Sequence, residues 1–326
     1  MTESLLQLLG GLVLIVKGGD WFVGAAVRVA GFLRMPRVVI GSTIVSLATT
    51  TPELVVSIFA GAQGQPGLAV GNAVGSCVCN LGFILGVSAA IRAIALNPAA
   101  LIRPLVVMAA VTLALFLMTL DLRLGRPSAI FLLAVGIGYY IWDFMDHMRR
   151  RDPAMLAQAR ELERETGKRF LWLETRTGTA FQFLGSAAVV IVGSDLLVTG
   201  AVAVAKMLGV APLVIGLTIV SIGTSLPELV TALSSAKKGV NDLSVGNVLG
   251  ANIANLTLII GIAALQTEVT LERSAQFFHF PVLLALIALL FWRLARDRTL
   301  SRRDGVILIS SYAVYLLVVA ALAIWT

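Results

Sequence analysis

Apolar stretches of 20 residues or more recur along the whole chain. Each is long enough to cross a hydrocarbon layer of ~30 Å at ~1.5 Å per helical residue. A segment in lipid must satisfy its own backbone N–H and C=O groups, which leaves the α-helix as the economical spanning element for runs of this length. Charged residues make up only 13% of the chain and hydrophobic ones 58%, whereas water-soluble domains carry about a quarter charged. The expected fold is an all-α integral membrane bundle. The first apolar run follows an uncharged-to-acidic start and carries Lys17 and Asp20 without a small-residue cleavage site, so it reads as a retained first span rather than a signal peptide.

Ten transmembrane helices are expected, at about 4–27, 38–62, 68–91, 99–120, 127–146, 179–205, 212–236, 243–266, 277–292 and 305–325. Lys and Arg alternate between the connections: twenty fall on one side of the membrane and four on the other, with Lys17 inside a span. Positive residues favour the cytoplasmic side, so both termini are expected to be non-cytoplasmic. The net charge of +7 invites a nucleic-acid partner, but basic residues confined to loops between spans set topology instead, and membrane lipid is the expected surrounding. Residues 149–176 form the one sizeable polar stretch, a cytoplasmic connecting loop between halves 1–148 and 177–326.

Displacing the sequence against itself by 175 residues aligns 40–86 with 215–261 without a gap, and 21 of 47 positions are identical. The blocks IGSTIVSLATTTPELV and IGLTIVSIGTSLPELV match, as do GNAVGSCVCN and GNVLGANIAN. Each half has an odd number of spans, so the second copy is expected to enter the membrane upside down. Two inverted-topology five-helix repeats place a substrate near the midplane, where the copies meet.

Glu53 and Glu228 are repeat mates and the only Glu residues well inside spans. A carboxylate at the bilayer centre costs at least ~2.5–3.5 kcal/mol on insertion scales, which makes each a functional candidate. Two facing carboxylates repel unless they are protonated or share a cation. Each follows a proline, Pro52 or Pro227, which lacks an N–H and crowds the carbonyl four residues back. Carbonyls at Ala48 and Gly223, and those near Ser46 and Ser221, can then turn inward. Thr49 and Thr224 lie one helical turn before each Glu, on its face. Asn80 and Asn255, in the third span of each half, add uncharged oxygens, with interhelical hydrogen bonding as their bland alternative. Oxygen-only ligation suits hard ions such as Ca²⁺ and Na⁺. Asp20 and Asp195 read as helix-pairing or interfacial groups, and His147 and His279 as interfacial residues at span edges. Cys77 and Cys79 point to different sides of one helix and read as packing residues.

These blocks resemble the α1 and α2 repeats of the cation/Ca²⁺ exchanger superfamily, and the chain is similar in size to its compact bacterial and archaeal Na⁺/Ca²⁺ exchangers. The resemblance implies Glu53 and Glu228 as central ligands, with Thr49, Thr50, Thr224 and Ser225 beside them. It further implies the backbone oxygens of Ser46 and Ser221, the hydroxyl of Ser76, and the amides of Asn80 and Asn255. It implies that the first and sixth helices slide across a fixed core. Ala251 stands where some exchangers have Ser, and Asn255 where several Na⁺-coupled and K⁺-dependent members have Asp. K⁺ dependence is therefore not expected.

The function expected is Na⁺/Ca²⁺ antiport by alternating access across a bacterial or archaeal inner membrane, with no enzyme activity and no bound cofactor. H⁺/Ca²⁺ exchange is the alternative, and a cation channel or an intramembrane hydrolase with a carboxylate dyad ranks below both.

Overall fold

Pro66 and Pro212 each stand at the first position of a helix, where a missing N–H costs nothing, and Gly209 (φ 67°) closes the longest helix in the left-handed conformation. Such signals punctuate a helical chain whose computed structural model describes residues 2–32, 45–150, 175–229, 232–233, 241–271, 273 and 275–325. The connecting segment expected at 149–176 lies largely outside these residues, as do the starts of the first repeat block and the side chains of Asp20 and His147.

Among the described residues, eight helices are long and apolar enough to cross a membrane, and two shorter apolar segments, 51–62 and 212–224, accompany them. In chain order the first half comprises α1 (Thr2–Phe32), α2 (Val45–Thr49), α3 (Thr51–Ala62), α4 (Pro66–Val78), a π-turn over Cys79–Ile84, α5 (Leu85–Ile91), α6 (Pro98–Met118) and α7 (Arg126–Arg150). The second half comprises α8 (Arg176–Leu208), α9 (Pro212–Ile215), a π-turn over Gly216–Val220, α10 (Ser221–Thr224) and α11 (Asn241–Ala254). It continues with a π-turn over Asn255–Ile259, α12 (Ile260–Gln266), a π-turn over Ala275–His279, α13 (Phe280–Arg296) and α14 (Arg302–Trp325).

The two short segments arise where the expected spans 38–62 and 212–236 break. Helical structure stops at Thr50 between α2 and α3, and at Ser225 after α10. Each break falls two residues before a proline, at Pro52 and Pro227, as the missing N–H and the ring clash require.

Helix α1 lies along α8, and the two run antiparallel. Gly11 meets Gly193 and Leu197, Gly18 meets Val189 and Val190, and Gly200 meets Ser4 and Leu8. Small residues let the two backbones approach closely, as in membrane helix pairs generally. Four two-residue strands, β1 (Ile94–Ala95), β2 (Arg123–Leu124), β3 (Val269–Thr270) and β4 (Thr299–Leu300), pair β1 with β4 and β2 with β3. Ile94 and Val269 are 175 residues apart, as are Leu124 and Thr299, so each strand pairs with a strand of the other half.

The segments Pro66–Ile91 and Val245–Gln266 are mostly buried and form the centre of the bundle. Leu81, Leu85, Ile253, Ile260, Phe280 and Leu283 belong to the apolar core around them. Leu6, Leu113, Phe131, Leu184 and Leu317 are exposed on the outside, where lipid makes an apolar surface favourable.

Candidate functional site

Glu53 sits in the first turn of α3, directly after the break, and Glu228 occupies the corresponding place beyond α10. Their side chains are 0% and 1% exposed. The two carboxylates are close enough for their charges to repel, and Glu228 faces Thr49 and Thr50. Across the centre, Ser225 Oγ donates to Glu53 Oε1 at 3.0 Å. The other three carboxylate oxygens, Glu53 Oε2 and both of Glu228, are buried with no hydrogen-bond partner. Acceptors in that condition are costly unless a proton or cation meets them.

The breaks gather donors and acceptors around one carbonyl in each half. Ser46 O accepts from Thr50 N at 3.1 Å, Thr50 Oγ1 at 2.8 Å and Thr49 Oγ1 at 3.1 Å. Its mate Ser221 O accepts from Ser225 N at 3.2 Å, Thr224 Oγ1 at 3.4 Å and Ser76 Oγ at 3.5 Å. Thr224 Oγ1 also reaches Val220 O at 3.1 Å. The hydroxyls of Thr49, Thr50, Thr224 and Ser76 thus lean on the broken helix ends, with Thr49 and Thr50 beside Glu228 and Thr224 beside Glu53.

The asparagines divide. Asn80 Nδ2 donates to Asn252 Oδ1 at 2.8 Å, and Asn252 Nδ2 donates to Cys77 O at 3.3 Å. Asn80 therefore does make an interhelical bond, while its Oδ1 is unpartnered. Asn255, at the head of its π-turn, is fully buried with both amide atoms unpartnered. π-turns interrupt the regular ladder and often mark functional positions; here they carry Asn80 and Asn255. All eleven residues expected at the site are buried in the bundle's interior.

Sequence reasoning missed Asn72 and Asn252 as organising groups. Asn72 Nδ2 donates to Glu53 O at 3.2 Å and to Ser57 Oγ at 3.1 Å, and Asn72 Oδ1 accepts from Thr224 Oγ1 at 3.0 Å. One buried amide so ties the backbone of the first glutamate to a hydroxyl of the second half. In the second half the positions of Asn72 and Ser57 are taken by Asn247 and Ala232, and Asn247 Oδ1 lacks a partner. The signal available was the duplicated Gly-Asn pair, 71–72 and 246–247. Tyr140 was also missed: its hydroxyl donates to Gly250 O at 2.9 Å, and Gly250 packs beside Ser46.

Outside the centre, Asp195 lies well within α8 and accepts from Gln63 Nε2 at 3.1 Å, consistent with helix pairing. His279 corrects its reading as an interfacial residue. Its helical segment starts at Ala275, a turn before the helix proper, which draws His279 inside at 3% exposure between Phe278 and Tyr315. Cys77 and Cys79 are both free and buried.

A family model described as "Sodium/calcium exchanger protein" matches residues 3–145 and 179–321. Inner membrane protein YrbG of Escherichia coli (strain K12) is 34% identical over 95% of this chain and 94% of its own length. Sodium/calcium exchanger MaX1 of Methanosarcina acetivorans is 29% identical over 98% of this chain and 99% of MaX1. Among solved structures, sodium-calcium exchanger NCX_Mj soaked with 2.5 mM Na⁺ and 0.1 mM Ca²⁺ superposes with a TM-score of 0.66 at 28% identity, covering 96% of this chain and 97% of that one.

Proposed function

We propose, from the premise that this chain belongs to the sodium/calcium exchanger protein family, that it is an alternating-access antiporter that extrudes Ca²⁺ in exchange for entering Na⁺. The family is one of membrane transporters rather than enzymes. The observation that carries the reading is the pair Glu53 and Glu228, fully buried with three carboxylate oxygens unpartnered. Two carboxylates hold a charge that one Ca²⁺, two Na⁺ or two protons would balance. Because these loads occupy the same oxygens, binding one expels another, which is the requirement for coupled exchange.

In this reading the ligands are Glu53, Glu228, the hydroxyls of Thr49, Thr50, Thr224, Ser225 and Ser76, the carbonyls of Ser46 and Ser221, and the amides of Asn80 and Asn255. Hydroxyls now donated to carbonyls rotate their lone pairs to the ion, a small change for groups already beside the acids. Ten spans in two inverted halves, 1–148 and 177–326 joined by 149–176, account for the antiparallel α1–α8 pair and for strands that pair across halves. Helices α1 and α8, packed closely on each other through Gly11, Gly193 and Gly200, would slide together across a fixed core. The positive-inside pattern supports an inner-membrane orientation with both termini non-cytoplasmic.

H⁺/Ca²⁺ exchange is the second reading. It is favoured by Asn255, an amide that leaves the centre with two acids, a load that two protons also balance. Counterflow in proteoliposomes separates the readings. Accumulation of ⁴⁵Ca²⁺ against its gradient after an imposed Na⁺ jump supports Na⁺ coupling. Accumulation only after a pH jump supports the second reading, and equilibration without accumulation under either gradient overturns antiport in favour of a pore.

A further inference from the structure

Beyond the carboxylates and amides of the ion site, three buried atoms without partners fall together: His279 Nδ1, Tyr312 Oη and Tyr315 Oη. The His279 ring meets Tyr315 edge-on at 5.6 Å, and Tyr315 stacks with Tyr312 at 6.2 Å. Phe278 and Phe83 flank the group. Tyr312 packs on Gly82 and stands beside the Cys79 thiol. The cluster therefore lies between the start of α13, the middle of α14 and the π-turn that carries Asn80.

Polar groups buried in a bundle are met by protein or by ordered water, and an unmet cluster points to a bound species. The repeat supplies a comparison within the same chain. Tyr140, the mate of Tyr315, satisfies its hydroxyl on Gly250 O at 2.9 Å, whereas Tyr315 finds no such acceptor. A cation is a poor occupant, because none of the groups named around the cluster is a carboxylate. Water is a good one: it donates and accepts, so it can serve a neutral imidazole nitrogen and two phenols together.

We propose that His279, Tyr312 and Tyr315 enclose a buried water-binding site behind the π-turn of the ion site. Through Tyr312, which packs on Gly82 of the π-turn that also carries Asn80, this water lies at the rear of the segment that presents that amide. A hydrated π-turn can exchange hydrogen bonds as Asn80 shifts, without leaving backbone groups unmet. The water site stands whether or not the transported ions are those proposed above.

The test is radiolytic hydroxyl-radical footprinting of the purified full-length protein, read by mass spectrometry. Radicals formed on bound water oxidise neighbouring side chains even where bulk solvent does not reach. Tyr312 and Tyr315 are 5% and 2% exposed, less than Tyr140 at 9%, so bulk labelling alone would favour Tyr140. The proposal expects Tyr312 and Tyr315 to oxidise several-fold faster than Tyr140; rates at or below that of Tyr140 overturn it. Thermal unfolding of Tyr315→Phe gives an independent reading. In a dry pocket, losing an unmet hydroxyl raises Tm and overturns the proposal. In a hydrated one it lowers Tm and slows oxidation of Tyr312. Neither measurement depends on transport, so its failure is distinct from failure of the antiport reading.

Discussion

Ser225 Oγ donates to Glu53 Oε1 at 3.0 Å, so a hydroxyl at the helix break of the second half holds the acid of the first. Breaks and acids are interlocked across the pseudo-repeat rather than assembled separately in each half. The Ser225→Ala variant should keep the fold and weaken ion binding. A hydrogen bond to a charged group contributes about 1.5–3 kcal/mol, or roughly ten- to hundredfold in affinity. The expected result is a raised KM for Ca²⁺ in initial-rate uptake with a smaller change in maximal rate. An unchanged KM would remove Ser225 from the site.

Asn72 and Asn247 are repeat mates that should differ on substitution. Asn72 makes three hydrogen bonds that join Glu53, Ser57 and Thr224, while Asn247 Oδ1 has none. Loss of the Asn72 amide in Asn72→Ala leaves buried partners unmet, at about 1–3 kcal/mol each. Thermal unfolding in detergent should show a clear fall in Tm for Asn72→Ala and a smaller one for Asn247→Ala; equal effects would deny the bridging role.

The α1–α8 interface predicts a contrast between neighbouring glycines. A methyl at Gly11 would lie 2.5 Å from the Leu197 amide nitrogen and 2.6 Å from Gly193 O, whereas one at Gly10 meets nothing within 4 Å. Gly10→Ala should therefore exchange at the normal rate. Gly11→Ala must push the helices apart and should slow exchange severely or lower Tm, as read by flux and by thermal unfolding. Normal flux in Gly11→Ala would mean that the close approach is not needed.

The acids and the helix breaks were legible because they were duplicated in register: Pro52-Glu53 and Pro227-Glu228 carry their meaning in local chemistry. Within a span, a proline removes a backbone donor and crowds the carbonyl four residues back, and a buried carboxylate demands a partner. The cross-links were not legible. Asn72 could have bonded any nearby hydroxyl, and only the tertiary arrangement selects Thr224. Likewise, Asn80 shows its interhelical partner, Asn252, only once the central helices pack. Hydropathy marked where lipid begins and ends rather than where helices do. The sixth span, expected at 179–205, is part of a helix over Arg176–Leu208, capped by Thr175 and Gly209 outside the apolar run. The same difference misplaced His279, whose segment starts earlier than its apolar stretch.

The central claim is that Glu53 and Glu228 together hold the exchanged ions. Its most direct measurement is Na⁺-jump-driven ⁴⁵Ca²⁺ accumulation in proteoliposomes containing the wild-type chain, Glu53→Gln or Glu228→Gln, with thermal unfolding to show that each variant is folded. Glutamine keeps the shape and removes the charge, so the account predicts accumulation for the wild type and none above empty liposomes for either variant. Near-wild-type accumulation in both folded variants would contradict it.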